Sequence, residues 1–292
     1  MSYVSEEIAS QPACWRRAIE LAAGSPAGLP LPGERVAVVG CGTSLFMAQS
    51  YAALREAAGL GETDAFPASE YPVGRGYDRV LAITRSGTTS EVLAVLDLVR
   101  DRARTVAITA DPATPVAQAA RDLVVLDFAD ERSVVQTRFA TTALMLLRAH
   151  LKEDLDRVVD QATHAVSAPL PAGAVDRRQV TFLGSGWTVG VAHEAALKLR
   201  EAAQAWTDSY PAMEYRHGPI SLADHDTLVW VFGAAPDGLL ADVARTGAAA
   251  EVSTVDPLAD LIRAQRLAVA LAEARGLDAD RPRHLTRSVI LT

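Results

Sequence analysis

The chain has 292 residues, 49% hydrophobic and 22% charged, an ordinary globular mix with length for two domains or one large doubled one. A net charge of −8, with no run of clustered Lys or Arg among aromatics, excludes a broad nucleic-acid surface. No stretch approaches the ~20 apolar residues that cross a bilayer. Only Cys14 and Cys41 occur and no signal-peptide pattern opens the chain, so no disulfide framework and a cytoplasmic location are expected.

Ser5 to about Ala23 reads as helix, and Pro12, which lacks an N–H to donate, predicts a break there. Arg35 to Val39 reads as a buried strand feeding a helix from Thr43 to about Ala58. A second apolar run, Arg79 to Thr84, ends in Arg85-Ser86-Gly87-Thr88-Thr89, and a helix continues to about Arg100. Thr105 to Thr109 and Leu123 to Phe128 are further strands, with a short helix near Val116 to Ala120. From Ser133 to about Thr163 the pattern is helical for two elements, and the Pro/Gly/Ala stretch from Ser167 to Ala174 is the best boundary. Val180 to Leu183 restarts the pattern as a strand, followed by a helix from about Gly190 to Ala203, a strand from Thr227 to Phe232, and helices to about Arg275. Alternating strands and helices imply an α/β fold with mainly parallel sheets covered on both faces.

One motif is written twice. VVGCGTS, Val38 to Ser44, returns 144 residues later as FLGSGWT, Phe182 to Thr188, and FPASEY from Phe66 matches YPAMEY from Tyr210 at the same offset. A period this long means two related α/β halves, since solenoid units run about 20–50 residues. The expected division is a helical lead-in over 1–28, a first subdomain over 29–166 and a second over 175–292 that includes a C-terminal tail.

Gly40-Cys41-Gly42-Thr43-Ser44 lies between a strand and a helix, where free N–H groups and hydroxyls meet an anion without a basic patch. Thr84 to Thr89 repeats that geometry one crossover later with four hydroxyls and one guanidinium. A dinucleotide fingerprint would need glycine where Leu45 stands, and no Walker lysine follows either loop. The second half keeps Gly184 and Gly186 but reads Phe232-Gly233-Ala234-Ala235-Pro236 where the hydroxyl loop would fall. Only the first half is therefore expected to hold phosphate.

Glu194, Lys198 and Glu201 follow i, i+4, i+7 spacing and share one helix face within roughly 60° of arc. Such triplets are usually solvated ladders, but here the flanking residues are almost all alanine and leucine. Apolar surroundings would give these groups the tunable acidity that proton transfer needs. Among the histidines, His217 stands before Gly218-Pro219, a turn able to present its ring. His193-Glu194 does not extend to a zinc motif, because Leu197 stands where the second histidine would be. His150, His164, His225 and His284 have no ligand spacing, so neither metal nor cofactor is expected.

Taken together, these motifs resemble the sugar isomerase (SIS) domain family, in particular the isomerase half of glucosamine-6-phosphate synthase and stand-alone amino-sugar-phosphate deaminases and isomerases. The resemblance runs through Glu7 to Pro12, Cys41 to Ser44, Arg85 to Thr89, Val135 to Phe139, Glu194 to Glu201, Glu214 to Pro219 and Asp280 to Ser288. It implies two tandem flavodoxin-like subdomains. It implies that Cys41, Gly42, Thr43, Ser44, Thr84, Arg85, Ser86 and Thr89 bind the sugar phosphate, with Glu194 and Arg287 also at the substrate. Glu201 would match the base that moves a proton between C1 and C2 of the ring-opened sugar. His217 would match a ring-opening histidine supplied by the neighbouring subunit of a homodimer, and Lys198 a further residue of the catalytic set.

Three departures bear on the reaction. The sequence lacks a glutaminase domain, so no built-in ammonia source is expected. The family's Ser-Gln-Ser-Gly-Glu-Thr loop reads Thr-Arg-Ser-Gly-Thr-Thr from Thr84, and the tail lysine that forms an imine in the synthase is Arg287. Arginine stays protonated and cannot act as an amine nucleophile. The expected activity is therefore isomerisation or deamination of a sugar or amino-sugar 6-phosphate; the other reading is a phosphosugar sensor without turnover.

Overall fold

The computed structural model describes residues 2–291. They form two compact units, each built around one parallel sheet. The five-strand unit comprises Ala13–Arg132, Gln136–Leu155 and the tail from Thr286. The four-strand unit comprises the chain up to Pro12, Ser133–Val135 and Asp156–Leu285.

The five-strand unit contains β1 (Val36–Gly40), β2 (Thr63–Pro67), β3 (Arg79–Ile83), β4 (Arg104–Thr109) and β5 (Asp122–Val125), in the order β2-β1-β3-β4-β5. This is the flavodoxin-like order, and its switch point lies between β1 and β3, where loops leave the sheet's carboxyl edge on opposite sides. β1 and β3 are buried along their whole length, which is why both read as uninterrupted apolar runs. The helices are α2 (Thr43–Ala57), α3 (Ser90–Val99), the single turn α4 (Val116–Ala119) and α5 (Arg138–His150).

In the four-strand unit, β6 (Gln179–Gly184), β7 (Thr207–Pro211), β8 (Thr227–Phe232) and β9 (Ala249–Val252) are ordered β7-β6-β8-β9, the same arrangement less one strand. Its helices are α6 (Asp156–Ala165), α7 (Thr188–Ala203), α8 (Leu239–Thr246) and α9 (Pro257–Ala274). Asp256 caps α9 by accepting the Leu258 N–H at 2.9 Å, with Pro257 in the first turn where its missing N–H costs nothing. The duplication holds to the residue: β1 pairs β2 from Val36↔Thr63 to Gly40↔Pro67, and β6 pairs β7 from Val180↔Thr207 to Gly184↔Pro211.

Several local expectations are corrected. The first helix, α1 (Tyr3–Ala23), runs through Pro12 without a break. The carbonyl that Pro12 cannot bond belongs to Ile8, and the Gln11 side-chain amide donates to it at 3.2 Å. α5 starts at Arg138, not Ser133, because the buried Glu131 carboxylate accepts the Thr137 and Arg138 N–H groups at 2.5 and 2.8 Å and sets the helix start there. β5 stops at Val125, and a 3-10 turn (Asp127–Ala129) replaces the rest of the expected strand. β2, β7 and β9 had no counterpart in the sequence reading. β2 and β7 are polar edge strands, only partly buried, so they show no apolar run.

Candidate functional site

In the five-strand unit the two hydroxyl loops leave β1 and β3 at the switch point. Gly40 lets the chain turn tightly: a Cβ there would lie 2.7 Å from the Ser44 carbonyl carbon. Gly42 has φ +55°, a conformation that favours glycine, and the first turn of α2 begins directly after it. Thr43 and Ser44 are buried at that helix start. Cys41 sits in the same turn, where burial first and the Glu91 carboxylate second push its thiol pKa up, so it is no ready nucleophile.

Along the second loop, the Thr84 N–H donates to Ile108 O at 3.0 Å, while its buried hydroxyl has no hydrogen-bond partner among the described residues. Ser86 Oγ accepts from the Thr88 N–H and hydroxyl at 3.3 and 3.1 Å. Thr89 precedes α3 without capping it through its side chain. Arg85 is buried, 3.5 Å from the Glu131 carboxylate, the same group that caps α5, so its charge is already balanced within the protein. Arg85 also donates to the Arg287 carbonyl at 3.1 Å. The Arg287 guanidinium itself turns to Asp130 Oδ1 at 2.5 Å and to the Glu131 carbonyl. Glu131 and Asp130 were not read from the sequence, since a carboxylate seven residues ahead of the first helical residue matches no capping pattern.

In the four-strand unit, Gly184 and Gly186 reproduce the turn. A Cβ on Gly184 would lie 2.2 Å from Thr188 O, and Gly186 has φ +56°. Here the turn hydroxyl is consumed locally: Thr188 Oγ1 lies 2.9 Å from Phe232 O, 3.0 Å from Ser185 O and accepts the Ser185 N–H at 2.8 Å. α7 then carries the charged face. Lys198 Nζ lies 2.5 Å from Glu201 Oε2 and 3.4 Å from Glu194 Oε1; the Lys198 and Glu194 side chains are 1% exposed and Glu201 is 18% exposed. Two carboxylates around one buried ammonium make a costly arrangement that an apolar helix face would avoid. Only Glu201 opens toward solvent, which suits a group that exchanges a proton with a ligand.

His217 ends a 3-10 turn (Glu214–His217) and is exposed, and its side chain makes no hydrogen bond among the described residues. The turn is anchored by buried Tyr215 and by Arg216 Nε on Asp242 Oδ2 at 2.5 Å, and Gly218 at φ +138° ends it. Among the described residues no hydrogen bond or ion pair joins His217 to Glu201. His193, half-buried on α7, bonds the Ser209 hydroxyl at 2.9 Å, and burial lowers its pKa. Ligand atoms of Asp224, His225 and Asp226 lie within 4.8 Å of one another, but Asp224 already engages Arg178, Thr227 and the Asp226 N–H. No helix among the described residues is long and apolar enough to cross a membrane.

Fold and loops together define a doubled flavodoxin-like α/β protein with hydroxyl-bearing turns at one switch point and a charged helix face at the other. No family model matches the chain. A glutamine–fructose-6-phosphate aminotransferase (isomerizing) from a Nostoc species is 26% identical over 98% of this chain and 58% of its own length. The chain thus spans about half the length of the curated relatives it matches. Among solved structures, glucosamine-6-phosphate deaminase from Thermotoga maritima superposes with a TM-score of 0.82 at 24% identity, covering 99% of this chain and 100% of that one. The C-terminal domain of the Francisella tularensis glucosamine–fructose-6-phosphate aminotransferase gives 0.81 at 20% identity, covering 96% and 98%. The chain therefore shares the fold of these two solved structures and is similar in sequence to part of the glutamine–fructose-6-phosphate aminotransferases, as the motifs led one to expect.

Proposed function

We propose that the protein is an enzyme acting on a sugar or amino-sugar 6-phosphate, by aldose–ketose isomerisation or by deamination coupled to isomerisation. The observation that carries this reading is the buried Glu194–Lys198–Glu201 cluster on α7, with Glu201 alone partly open to solvent. A purely structural helix has no need of an ammonium held between two carboxylates in an alanine-rich setting, whereas a proton-transfer base needs its orientation fixed. Lys198 holds the Glu201 carboxylate in place and balances its charge. Glu201 removes the proton at C2 of the open-chain sugar and returns it at C1. His217 is assigned to ring opening, and its exposure supports action on a site completed by a second copy of the chain. Ser44, Thr84, Ser86 and Thr89 are assigned to the phosphate, and Arg85 to holding their loop through Glu131.

Two features favour isomerase or deaminase chemistry over glutamine-dependent synthesis. Arg287 stands where an imine-forming lysine would be needed, and Lys198, one of two lysines in the chain, is clamped by its carboxylate partners. Incubation with a panel of hexose and hexosamine 6-phosphates, following ketose and ammonia, tests the proposal. Turnover of at least one member is expected, together with weak binding of the unphosphorylated sugars. Thermal stabilisation by several members without any turnover would instead make this a binding protein. For the dimer, a mixture of inactive Glu201→Gln and inactive His217→Ala chains should regain activity as subunits exchange.

A further inference from the structure

At the amino edge of the five-strand sheet, away from the hydroxyl loops, lies a cavity of ≈ 490 Å³ that the proposed reaction does not use. Its walls are the loop from Ser25 to Pro32, Leu60 after α2, and His150 to Lys152 at the end of α5. Two buried guanidinium groups pin the loop: Arg79 Nη1 donates to Gly28 O at 2.6 Å and Arg55 Nη2 to Leu31 O at 2.6 Å. Pro26, Pro30 and Pro32 fix φ along it, so this wall is formed before any ligand arrives. The volume and the largely apolar lining fit a small organic molecule.

Three observations give the cavity a sign. Arg79 is balanced by Glu34 at 2.7 Å, but the Arg55 guanidinium, 1% exposed, has no such partner. It donates to Leu31 O, Gly61 O and Thr63 Oγ1, all neutral, and no carboxylate among the described residues lies within ion-pair distance of it. Next, the Tyr51 hydroxyl and His150 Nδ1 are buried without hydrogen-bond partners among the described residues, and Arg55 and Arg79 act electrostatically on both. Buried polar atoms are ordinarily paired, so two orphans beside an unbalanced cation mark a place for a further group. Finally, Lys152 is exposed at the rim and makes no ion pair among the described residues, since neighbouring Glu153 is held by Arg148 at 2.9 Å. Lys152 ends α5 with φ +67°, its N–H on Ala149 O at 3.0 Å and the Glu153 N–H on Arg148 O at 3.3 Å. Glycine is the unstrained residue for that place, so the lysine is kept there against local preference.

We propose that this cavity is a second ligand site, which takes a small organic monocarboxylate. The apolar body lies along Leu31, Leu60 and Leu151, and the carboxylate meets the His150 ring and the Lys152 ammonium. A neutral imidazole donates one N–H and the ammonium three, enough for both carboxylate oxygens. Glu56, the remaining carboxylate near Arg55, is exposed and accepts the Thr63 N–H at 2.9 Å. Arg55, Arg79 and Lys152 set against Glu34 and Glu56 leave one positive charge, which matches a monoanion better than a phosphate dianion. None of these residues is assigned to the sugar phosphate, so the two sites stand or fall independently.

The test adds 3-phenylpropionate to the full chain, with 3-phenylpropan-1-ol as its neutral counterpart. Calorimetry reports affinity. The Cε1–H signals of the six histidines in NMR spectra report place, with His150 assigned by the signal lost in His150→Gln. The acid should bind about tenfold more tightly than the alcohol, as one hydrogen bond to a charged group implies, and should shift the His150 signal. Lys152→Gly should weaken acid binding about tenfold and leave alcohol binding as it was. Its melting temperature should not fall, because glycine relaxes the left-handed position, so a lost affinity is not a lost fold. Leu31→Glu, which brings a carboxylate to the wall, should weaken the acid far more than the alcohol. Equal affinity for acid and alcohol would leave only an apolar crevice and overturn the site. Acid binding that shifts other histidines and not His150, or that survives Lys152→Gly unchanged, overturns it as well, and so does a parent chain that binds no acid at any soluble concentration.

Discussion

In the five-strand unit, Gly40 and Gly42 lead into a helix with Ser50, Leu54 and Ala57 along one face. In the four-strand unit, Gly184 and Gly186 lead into a helix with Glu194, Lys198 and Glu201 at the same offsets. The turns match closely, with φ +55° at Gly42 and +56° at Gly186. The strand pairing beside them is in the same register. What differs is the chemistry attached. One half leaves its turn hydroxyls at helix starts and follows the next strand with Thr84 to Thr89. The other closes its turn on Thr188 and puts charge on the helix face instead. The halves also diverge in length after β2 and β7. β1 pairs Val36 with Arg79 and β6 pairs Val180 with Leu228, so the strand offset grows from 144 to 149 residues. The five additional residues fall in the stretch that carries the His217 turn. A duplicated scaffold thus keeps its geometry at the glycines and changes what hangs from them.

The sharpest way to break this division is to remove the proposed base, Glu201, from the charged face. Glu201→Gln keeps shape and a hydrogen-bonding oxygen but cannot take a proton, and kcat should fall about 10²–10⁴-fold with little change in KM. A variant that retains more than a tenth of the parent activity in steady-state assays would move catalysis away from α7.

The shared turn itself is the next target. Gly40→Ala and Gly184→Ala each push a methyl group into backbone, 2.7 Å from Ser44 C and 2.2 Å from Thr188 O respectively. Both should lose about 3 kcal/mol or more in denaturant unfolding, with Gly184→Ala the worse. Similar tolerance at both positions would mean the turns can shift, and that the identity of the two halves at the glycines is not a packing requirement.

Much of this was legible in the sequence because it is local. β1, β3, β4, β6 and β8 are buried runs. The Glu194, Lys198 and Glu201 face follows from spacing alone, and the two glycine turns announce themselves by repetition. β2, β7 and β9 were not legible, because edge strands such as Thr63–Pro67 carry neither an apolar run nor strict alternation. Pro12 misled, since the rescue of Ile8 O by Gln11 depends on a rotamer, not on a pattern. The contacts of Arg85 with Glu131 and with the Arg287 carbonyl span 46 and 202 residues of chain, and nothing in either segment alone points to the other.

A milder pair of substitutions separates scaffold from ligand function. Thr188→Val removes the hydroxyl that ties Ser185 and Phe232 together, and should cost about 1–2 kcal/mol of stability without altering phosphate affinity. Ser44→Ala, at the matching position, removes a hydroxyl that makes no hydrogen bond among the described residues. It should leave stability near the parent value and weaken phosphosugar binding by about 1–2 kcal/mol. Parallel unfolding and calorimetric measurements read both effects. An exchange of outcomes, with Ser44 structural and Thr188 ligand-sensitive, would invert the assignment of the two halves.

The smallest expected effect concerns one histidine in each unit. Burial lowers the pKa of His150, aided by Lys152, Arg55 and Arg79, and burial aided by Arg200 lowers that of His193. Both rings are therefore neutral in the folded protein near their ordinary value of 6.5. A depressed histidine contributes stability that is fully present above the unfolded-state pKa. As pH falls below about 6.5 the unfolded chain takes up protons that the folded chain still refuses, so this stability is lost down to the folded-state pKa. Unfolding free energy should thus decline with acidification from pH 7 toward pH 5. His150→Gln and His193→Gln should each flatten part of that decline, with the double variant flattest. The glutamine side chain of His193→Gln can still donate to Ser209, so that variant's stability at pH 7 should stay close to the parent's, whereas the buried Nδ1 of His150 has no hydrogen-bond partner among the described residues to lose. An acid slope unchanged by both substitutions would place the titrating groups elsewhere.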